Sequence, residues 1–331
     1  MRRPANRRDL PDDEFSRITW LSRLFSAKGL PASVLLGIGD DAAIIRAGRD
    51  RWVWTIDACV EGVHFDQRWL LPQDVGWKSF QAAASDIAAM GARPVAALCS
   101  MALPKNCEPA QLRAMARGQA HAARSLGCSI VGGNLTCARE LSIHTTLLGT
   151  TNRPLKRDGA RVGDEIWLIG QVGAAAAGLE ISRGIPEGDR TSDMRWCARN
   201  WQRPKALVDA GYGLRTLAHA AIDVSDGLAA DLQHLAKASG VRAVLRAESI
   251  DNAVGRRLRR VAQRLHRSTL NWALFGGEDY ALLAAGAPHQ RPVGAFVIGQ
   301  FESGRGVWLQ TAGKTRRLSP LGFDHFRRRS T

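Results

Sequence analysis

Hydrophobic positions recur along the chain in two rhythms. The run RWVWTI (Arg51–Ile56) is short, β-branched and aromatic, and predicts a strand ending at Asp57. Gly76–Met90 is alanine-rich and predicts a helix, closed by Gly91 and the stop signal Arg93-Pro94. Val95–Leu103 predicts a buried strand, Pro109–Leu126 a second helix with Gly127 at its end, and Leu141–Leu148 another strand. A polar, basic stretch follows, TTNRPLKRDGARVG (Thr150–Gly163), and then the alternation resumes. Asp164–Ile169 and Ala221–Val224 predict strands, Ala174–Ser182 and Gly227–Ser239 helices, the latter stopped by Gly240; Ile185–Asp193 reads as a loop. Further strands are expected at Val241–Leu245, Leu282–Ala284 and Phe296–Ile298. Interleaved strands and helices argue for an α/β (α+β) protein. The polar stretch divides it into an N-terminal domain, 1–152, and a C-terminal domain, 153–331.

Composition agrees with two globular domains. The 331 residues are 45% hydrophobic and 23% charged, with no internal repeat and no apolar run long enough for a membrane span. The opening MRRPANRRDLPDDEF has no apolar centre and is no secretory signal, so a soluble cytoplasmic protein is expected. Six cysteines (59, 99, 107, 128, 137 and 197) include no C-x-x-C pair, which argues against a disulfide scaffold or a zinc site and for reduced thiols.

Lys plus Arg number 46 against 31 Asp plus Glu, a formal net charge of +15. The arginines gather at Arg2, Arg3, Arg7 and Arg8, in GRRLRRVAQRLHR (Gly255–Arg267) and in the tail FRRRST. In the middle stretch Leu258, Val261, Ala262 and Leu265 recur at helical spacing, so it reads as an amphipathic helix with a basic exterior. No zinc finger or RNP-type motif accompanies the charge, and no specific nucleic-acid partner is expected. Two apparent nucleotide motifs fail on spacing. The GKT of Gly313–Thr315 lacks its first P-loop glycine, Trp308 standing there, and reads as a hairpin turn; Gly170, Gly173 and Gly178 miss the dinucleotide fingerprint.

The informative feature is where an acid-poor chain places its acids. Asp40 and Asp41 lie in LLGIGDDAAII, Asp57 ends WVWTID, and Asp86 interrupts AAASDIAAMG. Asp223 and Asp226 lie in AAIDVSDGLAADL, and Glu278 and Asp279 in LFGGEDYALL. Ionised carboxylates among small apolar residues are costly unless paired or metal-bound. Asp226 can be read as a helix N-cap and Asp40-Asp41 as a turn, but Asp86 within a helix has no such role. Two carboxylates about 4 Å apart repel by roughly 4 kcal/mol at an effective dielectric of 20, so convergence requires cations. Oxygen ligands without sulfur or histidine clusters point to magnesium, and magnesium on several carboxylates to a polyphosphate. Nucleotide-dependent phosphoryl transfer is the leading class.

These motifs, in this order, resemble bacterial thiamine-monophosphate kinases: GIGDDAAII, ID with VEGVHFD (Val60–Asp66), SDIAAMGARP (Ser85–Pro94), VGGN (Val131–Asn134), IDVSDGLAADL, GGEDY and GFDHF (Gly322–Phe326). The resemblance spans residues 14–326 and implies the two-domain fold of aminoimidazole-ribonucleotide synthetase-like, ATP-using enzymes, which usually dimerise through their N-terminal domains. It implies transfer of the ATP γ-phosphoryl to thiamine monophosphate, giving thiamine diphosphate. It further implies Asp41, Asp57, Asp86, Asp223 and Asp226 as magnesium ligands with Thr55 nearby, Asp57, Asp86 and Asp226 being catalytic. Gly133, Arg157 and Ser225 match ATP contacts, and His64, Glu278 and Phe323 match substrate positions. Read alone, His64 is equally an ordinary half-buried histidine. Two positions depart from the family's pattern. Asn134 stands for an aspartate, keeping an oxygen for metal or ATP but no charge; Ile56 replaces a hydroxyl residue, and both departures are expected in the metal site. They leave open a related ATP-dependent enzyme with another acceptor, or a weakly active paralogue.

Overall fold

Two mixed sheets organise the chain in the computed structural model, which describes residues 31–319 except 49, with Ser16, Ile18, Thr19 and Ser22 before them. The basic N-terminal segment, Phe323 and the arginine tail lie outside the described residues. The first sheet holds β1 (Val34–Leu36), β2 (Ala43–Ala47), β3 (Asp50–Val60), β4 (Arg93–Pro104), β5 (Ser129–Ala138) and β6 (Ser142–Thr151), ordered β1-β2-β3-β6-β4-β5. Helix α1 (Pro72–Ala89) enters on a proline in its first turn, where a missing N–H costs nothing. Helix α2 (Pro109–Ser125) starts at a reciprocal Glu108/Gln111 capping box and carries the chain from β4 to its parallel neighbour β5. The two helix backbones touch: a Cβ on Gly76 would fall 2.0 Å from the Met115 carbonyl oxygen, and one on Gly118 1.9 Å from that of Gln73.

The second sheet runs β13-β12-β9-β11-β7-β10-β8, from β7 (Glu165–Ile169), β8 (Ala220–Val224), β9 (Arg242–Arg246), β10 (Ala281–Gly286), β11 (Phe296–Glu302), β12 (Gly306–Thr311) and β13 (Lys314–Arg317). Around it lie α3 (Ala174–Gly184), α4 (Ser192–Gln202), α5 (Val208–Leu214), α6 (Leu228–Ser239), α7 (Ala247–Ala253), α8 (Gly255–Leu265) and α9 (Thr269–Phe275). Helix α8 is the basic stretch: Leu258, Val261 and Ala262 are buried, while Arg260 forms a two-pronged bond with Asp193 and Arg267 bonds Glu180. The GKT segment begins at Gly313 in the turn of the β12–β13 hairpin and continues as the first two residues of β13.

Fourteen of the eighteen residues of α1 are buried, because it is covered by its own sheet, by α2 and by the second domain. One core runs through the boundary, with Phe80, Ile87 and Leu147 on one side and Trp167, Leu214 and Leu282 on the other. The polar stretch after β6 is anchored to this core at Leu155, which is buried and whose N–H bonds the Met90 carbonyl at 3.0 Å. No helix among the described residues is long and apolar enough to cross a membrane.

Several boundaries differ from the sequence expectation. Strand β3 does not stop at Asp57 but pairs with β6 through Val60, so Asp57 sits inside the ladder. The expected loop 185–193 already contains the start of α4, whose Thr191 cap accepts the Met194 N–H. Strand β5, rich in glycine and exposed on both faces, carries no burial signal in its sequence.

Candidate active site

Register sorts the motif residues onto the two faces of the first sheet. Asp57, Thr145, Cys99 and Gly133 pair across β3, β6, β4 and β5 as one row. Thr145 and Cys99 are buried under the helices, so this is the inner face, and Thr55 lies on it two residues earlier. Ile56 falls in the next row with Thr146 and Leu98 and is 66% exposed on the outer face. Asn134 belongs to the outer row of Ala58, His144 and Ser100. The two departures therefore lie on the face opposite Thr55 and Asp57, a correction that follows from the two-residue period of a strand. Gly133 has a structural reason of its own, because a Cβ there would fall 1.8 Å from the Cys99 carbonyl oxygen.

Asp41, Asp86 and Asp223 converge from the β1–β2 turn, helix α1 and strand β8, each offering an oxygen, all within 4.8 Å of one another. Thr55 Oγ1 donates to Asp86 Oδ2 at 2.6 Å and Ser85 Oγ to Asp223 Oδ2 at 2.6 Å. Burial, and then the Asp223 and Asp41 charges, hold Asp86 well above the usual carboxylate range. Burial followed by Asp41 pushes Asp223 up to about 8, and the same two causes push Asp40 up to about 6. Asp57 and Asp226 add their charge, to Asp86 and to Asp223 respectively. A buried set of hard oxygens that resists ionisation fits a hard divalent cation such as magnesium.

Arg157, from the stretch between the domains, reaches back into this cluster. Its Nη2 and Nε donate to Asp41 at 2.5 and 3.3 Å, and its backbone N–H to Asp40 Oδ2 at 3.0 Å. Asp40 and Asp41 are thus more than a turn. Asp226 is not the cap of α6: Asp231 Oδ2 accepts the Asp226 and Gly227 N–H groups, both at 3.1 Å. Ser225 lies beside it, its carbonyl accepting the Glu278 N–H at 2.7 Å.

A second feature opens at the boundary of the domains. His64 and Trp69 from the first domain, with Arg183, Trp201 and Glu278 from the second, line a cavity of about 250 Å³. His64 Nδ1 accepts the Val60 N–H at 3.1 Å, which leaves Nε2 as the donor of the neutral ring. Glu278 has φ 65°, a left-handed backbone uncommon for a side chain of its size. The guanidinium groups of Arg68 and Arg183 lie 4.5 and 5.0 Å from the Trp69 ring centroid. Sequence reasoning missed Ser85, Trp201, Lys78 and Asp231. A signal existed for Lys78, which with Asp86 is one of two charges between Val75 and Met90.

Residues 39–151 match the family model for the N-terminal domain of AIR synthase related proteins, and residues 161–307 that for the C-terminal domain. The chain is 35% identical over 292 residues to the thiamine-monophosphate kinase of Aquifex aeolicus, covering 87% of this chain and 92% of that one. It is 38% identical over 269 residues to the enzyme of that name from Mycobacterium tuberculosis, covering 80% and 78%. A solved structure described as AaThiL complexed with AMPPCP and TMP superimposes with a TM-score of 0.87 at 32% identity, covering 95% of this chain and 97% of that one.

Proposed function

Because the chain belongs to the thiamine-monophosphate kinases of the AIR synthase related family, we propose that it transfers the γ-phosphoryl of ATP to thiamine monophosphate, yielding thiamine diphosphate and ADP. The observation that carries this reading is the convergence of Asp41, Asp86 and Asp223 on one point at the domain boundary, with Arg157 beside them. The attacking atom is a phosphate oxygen, already anionic, so no strong general base is needed and alignment dominates. The site accordingly has carboxylates and a guanidinium at its centre rather than a Ser-His or Cys-His pair.

Asp41, Asp86 and Asp223, with Asp57, Asp226 and Thr55, would hold magnesium, which when bound neutralises crowded phosphate charge. Arg157 supplies a fixed positive charge beside the cluster, and with Gly133 and Ser225 it would hold the nucleotide. His64 and Glu278 would hold the acceptor in the groove, and the resemblance alone adds Phe323 as a further acceptor contact. The first domain, 1–152, then carries most metal ligands, and the second, 153–331, completes both subsites. The enzyme would act in the cytoplasm as a homodimer joined through the first sheets. Support for that surface is the outer face, where Trp54, Ile56 and Leu98 are 48, 66 and 46% exposed.

Incubation of the purified protein with ATP, magnesium and thiamine monophosphate, followed by phosphorus NMR, tests the reading. Equal formation of thiamine diphosphate and ADP is expected. ADP without thiamine diphosphate would assign the site to another acceptor.

A further inference from the structure

Lys78 is buried, its side chain 2% exposed, yet it carries a charge into the domain boundary. Such a residue is tolerated only when its charge is matched. Its Nζ lies 2.8 Å from Glu278 Oε1, donates to the Trp201 carbonyl oxygen at 3.3 Å and sits 4.7 Å from the centroid of the Trp201 ring. Trp201 Nε1 in turn donates to Glu278 Oε2 at 2.8 Å. Both carboxylate oxygens are therefore held, one from α1 of the first domain and one from α4 of the second. The Glu278 backbone is held as well, in its left-handed conformation, by the bond to Ser225. Backbone strain of this kind persists where the surroundings impose it.

Glu278 and Trp201 line the groove, and Lys78 does not. Lys78 therefore acts on a bound molecule through the two groove residues it touches, Glu278 and Trp201, and only Glu278 offers a charge. We propose that Lys78 is a positioning residue for acceptor recognition: with Trp201 it locks the Glu278 carboxylate toward a ligand ring that carries N–H donors or positive charge. This rests on the reading that the groove takes thiamine monophosphate, whose aminopyrimidine and thiazolium rings supply those two features. A carboxylate already fixed loses little side-chain freedom when the ligand arrives, so its contact appears in affinity.

Steady-state kinetics of Lys78→Met, Glu278→Gln and the double variant, with each substrate varied in turn, test the proposal. Lys78→Met is expected to raise KM for thiamine monophosphate about tenfold while KM for ATP stays within about twofold. In the Glu278→Gln background the same change is expected to add little, because no carboxylate remains to be positioned. If Lys78→Met does not fold, Trp201→Phe, which removes the second clamp's N–H while keeping an aromatic ring in the groove wall, is expected to give the same selective rise. An unchanged KM for thiamine monophosphate in a folded variant, or an equal rise for both substrates, overturns the role while wild-type turnover leaves the function standing. Wild-type protein that forms no thiamine diphosphate overturns both.

Discussion

Ser85 donates its hydroxyl hydrogen to Asp223 Oδ2 at 2.6 Å, joining helix α1 of the first domain to strand β8 of the second inside the acidic cluster. The bond favours the ionised carboxylate against the burial that opposes it. Removing it with Ser85→Ala is expected to raise the magnesium concentration for half-maximal activity by about tenfold, the effect of one lost hydrogen bond to a charged group. A magnesium titration of initial rate at saturating ATP measures this, and an unchanged midpoint would assign Ser85 to packing alone.

The cluster makes metal-free stability fall with pH. Asp223 is pushed up to about 8 and Asp86 well above its ordinary value, so the folded state holds protons that the unfolded chain has released. Between about pH 4 and pH 8 the native state therefore binds more protons than the unfolded state, and stability declines as pH rises through that window. In EDTA the melting temperature is expected to drop across it; with saturating magnesium the drop should shrink, and protons should be released on metal binding. Asp223→Asn in EDTA serves as the control, with a shallower slope.

Asp86→Asn is expected to move stability and activity in opposite directions. The amide is neutral without having to hold a proton, and its oxygen can still accept from Thr55, so the metal-free melting temperature at neutral pH should rise by a few degrees. Turnover should fall by about a hundredfold or more, since a charged ligand position is lost. Calorimetry and a coupled ADP assay on one preparation check both; a loss of stability in EDTA would contradict the protonation argument.

How much of this was legible in the sequence depends on which force fixes each element. Helix α1 and the buried strands β7, β8 and β10 announce themselves through runs of small and branched apolar residues, and Asp86 and Asp223 stand out as charges inside such runs. The pairing of Ser85 with Asp223 is 138 residues apart in the chain and had no local signal. Strand β5 escaped because Gly132, Gly133 and Asn134 are poor strand formers held by pairing with β4. Ile56 was assigned to the metal site from its neighbours Thr55 and Asp57, although consecutive strand residues face opposite sides. Asp226 reads as a cap from the sequence because the carboxylate that accepts the N–H groups at the helix start, that of Asp231, sits one turn inside the helix.

That face assignment carries a prediction of its own. Ile56→Ser places a hydroxyl on the outer face, in the row of Leu98 and away from Asp86. It is expected to leave kcat within about twofold and to weaken the proposed association of the first domains, since it takes an apolar side chain out of that exposed face. Sedimentation equilibrium against kcat separates the two effects; a collapse of kcat with unchanged association would return Ile56 to the catalytic face.

Lys78 and Ser85 stand seven residues apart on α1, one gripping Glu278 in the groove and the other Asp223 in the acidic cluster. At 1.5 Å per residue the helix sets their axial separation at about 10.5 Å. That spacing is a ruler cut from hydrogen-bonded backbone, and it cannot be lengthened by degrees. One inserted residue would turn Ser85 about 100° away from its partner while advancing it by only about 1.5 Å. Descendants of this chain that accept longer or shorter molecules must therefore alter the loops that line the groove, because the rod between the two grips admits no intermediate length.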